Sequence, residues 1–209
     1  MNYDLEQSDL STVVAEGRFV ADEAQRVFGQ LSAEQINWKP SGEEWSIGQC
    51  FDHLIISIRS LMTVVEEIRQ GTRRRRAWER APLLPRLFGK LLIRTLRPDS
   101  GRKAKAPRAL HPSSSQIPPG IIASFVEQQH RLLQLMEGTR GLELECITIT
   151  SPVVRLITYS LMDAYRLVVV HEQNHFVQAS RLLQLPGFPY RLSRSNGSSS
   201  LTSRANCSV

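Results

Sequence analysis

Two histidines spaced four residues apart are the side chains of this sequence best suited to chemistry. His171 and His175 open and close the pentad His-Glu-Gln-Asn-His, which lies in a segment with helical periodicity. Residues four apart share one face of a helix, so both imidazoles can reach the same point in space. Two neutral imidazoles on one rigid element supply half of a site for zinc or a similar divalent cation.

The same His-Glu-x-x-His spacing is the signature of zincin metalloproteases, in which the Glu is the general base and a downstream side chain completes the metal site. From residue 176 to residue 209 the sequence contains no Asp, Glu or His. A zincin would therefore lack an acidic or imidazole third ligand where that architecture places it. The sequence before the pentad also lacks the alternating strands of a protease sheet, so a third ligand is expected from upstream.

Three other histidines could supply that ligand. His111 lies in a Pro/Ser stretch, which is a poor rigid platform, and His130 lies on the polar side of a predicted helix. His53 lies near the start of another long helix, at the flank of its apolar face. His53 is therefore the best placed of the three.

Four other residues close in sequence to the histidines have candidate roles at such a site. Glu172 is a candidate general base, but it points about 100° away from His171 around the helix, so a structural or solvent role is expected. Asp52 is a weak candidate to support His53 from outside the ligand set. We expect Trp45 to anchor the start of its helix, and Cys50 to be a small buried hydrophobe rather than a nucleophile.

Hydrophobic residues recur three and four apart in four long segments, which predicts four helices at about residues 9–31, 46–71, 119–137 and 160–185. Ser32 with Gln35 and Ser46 with Gln49 form capping-box patterns, and the pattern recurs after Ser160. Residues 144–149 are the one strand candidate. The predicted fold is all-α, a four-helix bundle over residues 9–189 with a long crossover between its second and third helices.

The predicted crossover is about 47 residues long and carries most of the positive charge. Residues 73–108 contain 13 Lys and Arg against two acidic residues, whereas the whole chain has a net charge of +6. A short amphipathic helix is expected near residues 84–94 of this basic insertion (residues 73–117). Three interpretations stay open: a solvated loop, a lid that docks anionic substrates or thiol carboxylates, and a contact with nucleic acid or an anionic membrane surface.

Composition limits the remaining possibilities. The 41% apolar content is ordinary for a globular chain of 209 residues, and no apolar run is long enough to cross a bilayer. The N-terminus is acidic and polar rather than signal-like, and Cys50, Cys146 and Cys207 have no metal-ligand spacing. These features favour a cytoplasmic protein without a strong nucleic-acid signal, and a homodimer is compatible with them. The Ser-rich residues 190–209 are expected to be disordered.

Two motifs resemble those of the DinB/YfiT-like superfamily, over roughly residues 10–190. The first comprises Trp38-Lys39-Pro40, Glu44-Trp45-Ser46-Ile47-Gly48-Gln49 and Asp52-His53-Leu54; the second comprises His171, His175-Phe176-Val177-Gln178-Ala179 and Leu185-Pro186-Gly187-Phe188-Pro189. The resemblance implies a four-helix bundle with a long crossover and a three-histidine divalent metal site. Carried onto this sequence, the metal ligands are His53, His171 and His175.

The resemblance also implies chemistry. Members of that superfamily include thiol S-transferases and a thiol-dependent isomerase that use low-molecular-weight thiols such as bacillithiol or mycothiol, and others are described as metal-dependent hydrolases. The leading hypothesis is an enzyme in which zinc, nickel or iron(II) activates a thiol or a water against a small-molecule substrate. The alternative is a non-enzymatic metal-binding or stress-associated bundle whose basic arm contacts an anionic partner. One departure is Asn174, where the family often has Arg directly before the last ligand.

Overall fold

The computed structural model describes residues 1, 4–76, 79, 91–96, 110–152, 154 and 157–190. Within them the chain is almost entirely helical. The elements in chain order are α1 (Leu10–Phe28), α2 (Ala33–Asn37), α3 (Ile47–Arg69), α4 (Ile121–Glu137), β1 (Thr148–Thr150), β2 (Thr158–Ser160) and α5 (Leu161–Leu182). Residues 91–96 are also helical. The all-α prediction is confirmed, with a two-stranded hairpin as the addition.

The helices begin where the capping residues predicted. Ser32 and Ser46 each accept a hydrogen bond from the backbone amide three residues on, and the glutamine at that position accepts one from the amide of the serine. Ser160 likewise accepts from the amide of Asp163 at 3.0 Å, and thereby starts α5. Each of these bonds satisfies an amide that has no partner within its own helix.

The four long helices pack in a ring of contacts, α1 and α3 each against both α4 and α5. One phenylalanine from each helix meets the others at the centre of one end. The ring centroids of Phe28 and Phe51, Phe28 and Phe176, and Phe51 and Phe125 lie 5.1–5.4 Å apart in edge-to-face geometry. Such pairs stabilise by about 0.5–1.5 kcal/mol beyond their buried area. This cluster fixes α3 against α5 beside the positions that carry the histidines.

The hairpin departs from the predicted strand. Residues 144–149 were the candidate, but β1 begins only at Thr148, and its antiparallel partner β2 was not predicted. Each strand has three residues, which is too short for a two-residue period to be recognised. Because Ser160 is both the last residue of β2 and the cap of α5, the hairpin determines where α5 starts.

The long helices have two different ends. We call the end that holds the start of α3 and His53 the metal end, and the end that holds the hairpin the hairpin end. Sixteen residues separate His53 from Arg69, which is about 24 Å along the helix. Arg73 therefore leaves from the hairpin end, where it donates to the carbonyl oxygen of Thr148 and pairs with Glu79. The start of the basic insertion is thus remote from His53, and the lid interpretation of the insertion stays a prediction.

Several predictions fall outside the described residues. They include most of the amphipathic piece, the remainder of the basic insertion at 77–78, 80–90 and 97–109, and the tail from 191 onward. Of the predicted amphipathic piece, residues 91–94 are described and helical, with Ile93 buried and Arg94 paired with Glu6. In the described part of the chain no helix combines the length and the apolar character needed to span a membrane.

Candidate metal centre

The structure brings together the three histidines that the sequence singled out. His53 projects from the first third of α3, and His171 and His175 project from one face of α5. One ring nitrogen from each lies within 4.8 Å of the other two, and the Nε2 atoms of His53 and His171 are 2.8 Å apart. Two nitrogens bound to one tetrahedral zinc ion would be about 3.4 Å apart, given bonds of about 2.0–2.1 Å. The three imidazoles are therefore close enough to share one cation.

The ring of His53 is oriented by a backbone carbonyl. Its Nδ1 lies 2.6 Å from the carbonyl oxygen of Leu110. A carbonyl can only accept, so Nδ1 carries the proton and the lone pair of Nε2 faces the other histidines. A histidine that binds a metal commonly donates its second ring N–H in this way. No sequence pattern pointed to this partner, because Leu110 lies 57 residues away in a stretch without periodicity.

Burial keeps the three imidazoles neutral. It lowers the pKa of His53, an effect that the hydrogen bond to Leu110 opposes. Burial, and then the neighbouring His175 and His53, hold the pKa of His171 well below its usual value. Burial lowers the pKa of His175 to about 3. A neutral imidazole has the free lone pair that a metal requires, so the cluster is in its ligand form at neutral pH.

Two ring nitrogens of the cluster have no hydrogen-bond partner in the described part of the chain. Among the described residues, Nδ1 of His171 and Nδ1 of His175 are buried without a hydrogen-bond partner. A buried polar atom without a partner costs roughly 1–3 kcal/mol. A purely structural buried histidine is normally paired, whereas three neutral imidazoles that face one another can each offer one lone pair to a divalent cation. On this test the three histidines fit a metal ion.

Trp45 forms a wall of the cluster, which the sequence analysis missed. We expected it only as an anchor for the start of α3. Its indole stacks on the ring of His175 with centroids 5.8 Å apart and an interplanar angle of 19°, and lies 5.0 Å from the ring of His53. His111 lies outside the cluster, with its ring 6.4 Å from that of Trp45. Trp45 precedes the cap residue Ser46 and lies outside the helical periodicity, so the sequence pattern carried no signal for this contact.

Glu172 lies away from the histidines, as its position on the helix predicted. It is fully buried, so the solvent role is wrong and a structural role remains. Its Oε2 accepts a hydrogen bond of 2.7 Å from Nε2 of Gln129 on α4. Burial raises the pKa of Glu172 well above its usual value, and the Gln129 bond opposes this only in part. Nothing in this arrangement points to a general base.

Asp52 and Cys50 have different outcomes. Asp52 accepts a hydrogen bond from the backbone amide of Ser113, at 2.6 Å, rather than from a ligand histidine, so its predicted support of His53 from outside the ligand set stays a prediction. Cys50 is fully buried, and burial raises the pKa of its thiol to about 12. Its predicted role as a small buried hydrophobe is confirmed. His130 is exposed on α4 and outside the cluster, as expected.

Comparison with known proteins identifies the family. Searches of curated proteins and of solved structures returned no match. A family model described as the DinB superfamily matches residues 18–179, well over half of the chain, and the match includes all three histidines. The chain therefore belongs to the DinB superfamily, as its two motifs predicted.

Proposed function

We propose that this protein is a metal-dependent enzyme in which His53, His171 and His175 hold one divalent cation. The observation that carries the proposal is the convergence of three neutral imidazoles, one of them oriented by a backbone carbonyl. When bound, the cation acts as a Lewis acid that lowers the pKa of a thiol or a water at an open coordination position. Zinc, nickel and iron(II) all suit three imidazole ligands.

The protein itself would orient the three histidines and cover one flank of the site. His171 and His175 are held at fixed spacing by one helix, and His53 is held by Leu110, so the donor set is preorganised. Trp45 closes one flank against water. Three protein ligands leave one or two positions open, which is typical of catalytic rather than structural sites.

Membership of the DinB superfamily supports a choice of substrates. We infer that a low-molecular-weight thiol is the cosubstrate and a small electrophile the substrate, with water as the nucleophile if the protein is a hydrolase. The half-buried Asn174 precedes the last ligand, where related sequences often carry Arg. A neutral amide there favours a thiol or electrophile that does not depend on a guanidinium for recognition.

A second candidate function is non-enzymatic: a metal-binding or stress-associated protein whose basic arm contacts an anionic partner. The observation in its favour is that Arg74 and Arg75 are exposed at the hairpin end, far from the histidines. On this hypothesis the cation stabilises the fold and the arginines bind the partner.

Metal analysis of protein purified without an affinity tag tests the shared premise. We expect about one divalent ion per chain, in keeping with a single three-histidine site. The matched pair is His175→Ala, which should lose the ion, and His130→Ala, which should keep it because that histidine is exposed on α4. Wild-type protein that takes up no zinc, nickel or iron(II), or a His175→Ala variant that binds like wild type, would overturn the assignment.

One further measurement reports whether the metal binds beside Trp45, and another separates the two candidates. The indole of Trp45 lies within 6 Å of two of the histidines, so nickel or cobalt should quench its fluorescence, and the Trp45→Phe variant should lose that response. Trp38, which packs on Phe188, serves as an internal reference. A turnover screen with small thiols and electrophiles, with and without chelator, follows. Chelator-sensitive turnover supports the enzyme, and turnover that is absent or indifferent to chelator supports the non-enzymatic candidate.

A further inference from the structure

The basic insertion returns to the helices at the metal end. We call residues 110–117 the return segment. It is fastened to α2 and α3 by side chains that bind its backbone: Asn37 bonds both the amide and the carbonyl of Ile117 at 2.7 and 2.9 Å, Gln49 donates to the carbonyl oxygen of Ser114 at 3.1 Å, and Asp52 accepts from the amide of Ser113 at 2.6 Å. The first residue of this segment supplies the carbonyl that orients His53.

Of the three side chains that bind the backbone of the return segment, Asp52 lies nearest in sequence to that carbonyl. Ser113 lies three residues after Leu110, whereas the next tethers lie at Ser114 and Ile117. An N–H bond to a carboxylate is stronger than one between neutral groups, and 2.6 Å is short for such a bond. An irregular segment without tethers would lose the fixed position of its carbonyls, because ordering each residue costs conformational entropy.

We propose that Asp52 is a positioning residue of the metal centre. By accepting from the amide of Ser113, Asp52 places the carbonyl of Leu110. That carbonyl accepts a hydrogen bond from Nδ1–H of His53 and thereby directs Nε2 toward the other two histidines. The inference rests on the metal site proposed above and extends it. The end of the basic insertion, remote in sequence from every ligand, is a part of the centre.

Position and charge are the two ways in which Asp52 could act. As a neighbour of His53 its negative charge could strengthen that imidazole directly. Asp52→Asn keeps an oxygen that can accept from Ser113 but removes the charge, and Asp52→Ala removes both. Positioning therefore predicts that the Asn variant resembles wild type, and a charge effect predicts that it resembles the Ala variant.

Gly48 offers an independent way to displace the return segment. A Cβ at this position would lie 2.9 Å from Cβ of Ile117 and 2.7 Å from Cγ2 of Ile36, so the segment packs on α3 where a side chain would not fit. Alanine is otherwise preferred to glycine inside a helix. If Gly48→Ala weakens metal binding, displacement of the return segment or of the α2 residue Ile36, rather than a weakened helix, is the cause.

The first test measures metal affinity and ligand geometry. Zinc affinity is obtained by competition with a chromophoric chelator, and the visible absorption of the cobalt-substituted protein reports the ligand arrangement. We expect Asp52→Ala to bind zinc about 10–100-fold more weakly with an altered cobalt spectrum, as for other outer partners of metal-binding histidines. Asp52→Asn should remain near wild type, and Asp22→Ala, at an exposed position on α1, is the control. Unchanged affinity and spectrum in Asp52→Ala, or an Asn variant as weak as Ala, would overturn the proposal.

The second test does not need a metal. In chelator-treated protein labelled with ¹⁵N-histidine, the Nδ1 proton of His53 should exchange slowly with solvent because Leu110 accepts it. Asp52→Ala should speed this exchange, while Asp22→Ala should not. If wild type binds no cation, the proposed function fails, but the exchange measurement still decides whether Asp52 positions His53. Equal protection in Asp52→Ala and wild type would refute the positioning role on its own.

Discussion

The two ends of the long helices treat buried polar groups in opposite ways. At the hairpin end the carboxylate of Glu79 accepts bonds from the side chain of Arg73, the amide of Arg76, and both the amide and the hydroxyl of Thr150. At the metal end three imidazoles face one another, and in the described part of the chain two of their nitrogens have no partner. Structural polar groups are normally paired, whereas converging imidazoles with unpaired nitrogens suit a site that binds a ligand.

Two buried glutamates, Glu79 and Glu172, also differ in how many hydrogen-bond donors surround them. Burial raises the pKa of Glu79, but hydrogen bonds from Thr150 and Arg76 and the charge of Arg73 outweigh it and hold that pKa below its usual value. Glu172 has one donor among the described residues, Gln129, so burial prevails and its pKa is raised well above the usual value. The two pKa shifts have opposite directions because Glu79 has several donors and a cation beside it, whereas Glu172 is enclosed with a single donor.

The largest expected effect on stability comes from removing the carboxylate of Glu79 at the hairpin end. Glu79→Ala leaves the charge of Arg73 and the amide of Thr150 without their acceptor, and removing one partner of a buried ion pair costs about 3–5 kcal/mol. Urea denaturation of chelator-treated protein measures this loss in the free energy of unfolding. Glu66→Ala, at an exposed position on α3, should change it by less than about 0.5 kcal/mol. A loss below about 1 kcal/mol in Glu79→Ala would mean that the pairing at this end contributes little.

Removing a histidine at the metal end should have a large effect on zinc affinity and a small effect on stability. His171→Ala is expected to weaken zinc binding by more than about 100-fold, because replacing even the outer partners of metal ligands costs about 10–100-fold. The metal-free variant should lose far less stability than Glu79→Ala, since it removes one contact between two neutral imidazoles, from Nε2 of His171 to Nε2 of His53, rather than one partner of a buried ion pair. Zinc competition and urea denaturation on the same sample measure both quantities. A large loss of stability in the metal-free variant would make His171 a structural residue.

Acidification should destabilise the metal-free protein through the histidines. The folded-state pKa values of His53, His171 and His175 are lowered, to about 3 for His175, from an ordinary value of 6.5. Between those values the unfolded chain binds more protons than the native one, so stability is present above pH 6.5 and is lost as pH falls toward 3. Each histidine contributes a slope of at most about 1.4 kcal/mol per pH unit. Urea titrations across this range, with His175→Ala expected to give a shallower slope, measure it.

Glu172 acts in the opposite direction and provides a check on the sign. Its folded-state pKa is raised above 4.5, so its contribution to stability is full below pH 4.5 and is lost as pH rises through the folded-state value. On acidification toward 4.5 it therefore offsets part of the loss from the histidines. Glu172→Gln should steepen the fall of stability between pH 6.5 and 4.5. A shallower fall in that variant would show that the glutamate is not the group that opposes the histidines.

The sequence was most informative where one helix carries the signal. The spacing of His171 and His175 predicts a shared face, and Ser32 and Ser46 mark helix starts, because both depend on contacts within four residues. The all-α class follows from the same periodicity. These predictions needed no knowledge of how the helices pack.

The failures depend on contacts between distant segments. The partner of His53 is Leu110, and the partner of Asp52 is Ser113, both in a stretch with no periodic pattern. The periodicity of α5 predicted that Glu172 turns away from the histidines, but not that its other face is covered as well. The helical period predicts which way the side chain of Glu172 points. Whether that side of α5 is exposed to solvent or buried depends on the packing of α1 and α4 against it.

The smallest expected effect on stability comes from removing the serine that caps a helix at either end. Ser46→Ala and Ser160→Ala should each lower the free energy of unfolding by about 1 kcal/mol, because each leaves an amide at a helix start unsatisfied. Only Ser46→Ala should also weaken zinc binding, since Ser46 holds the turn that carries Trp45 and the end of α3 that carries Gln49 and His53. Ser46→Asp restores an acceptor for that amide and should recover both quantities. Equal losses of zinc affinity from the two alanine variants would mean that the hairpin end also shapes the metal centre, and the division of roles between the ends would then be wrong.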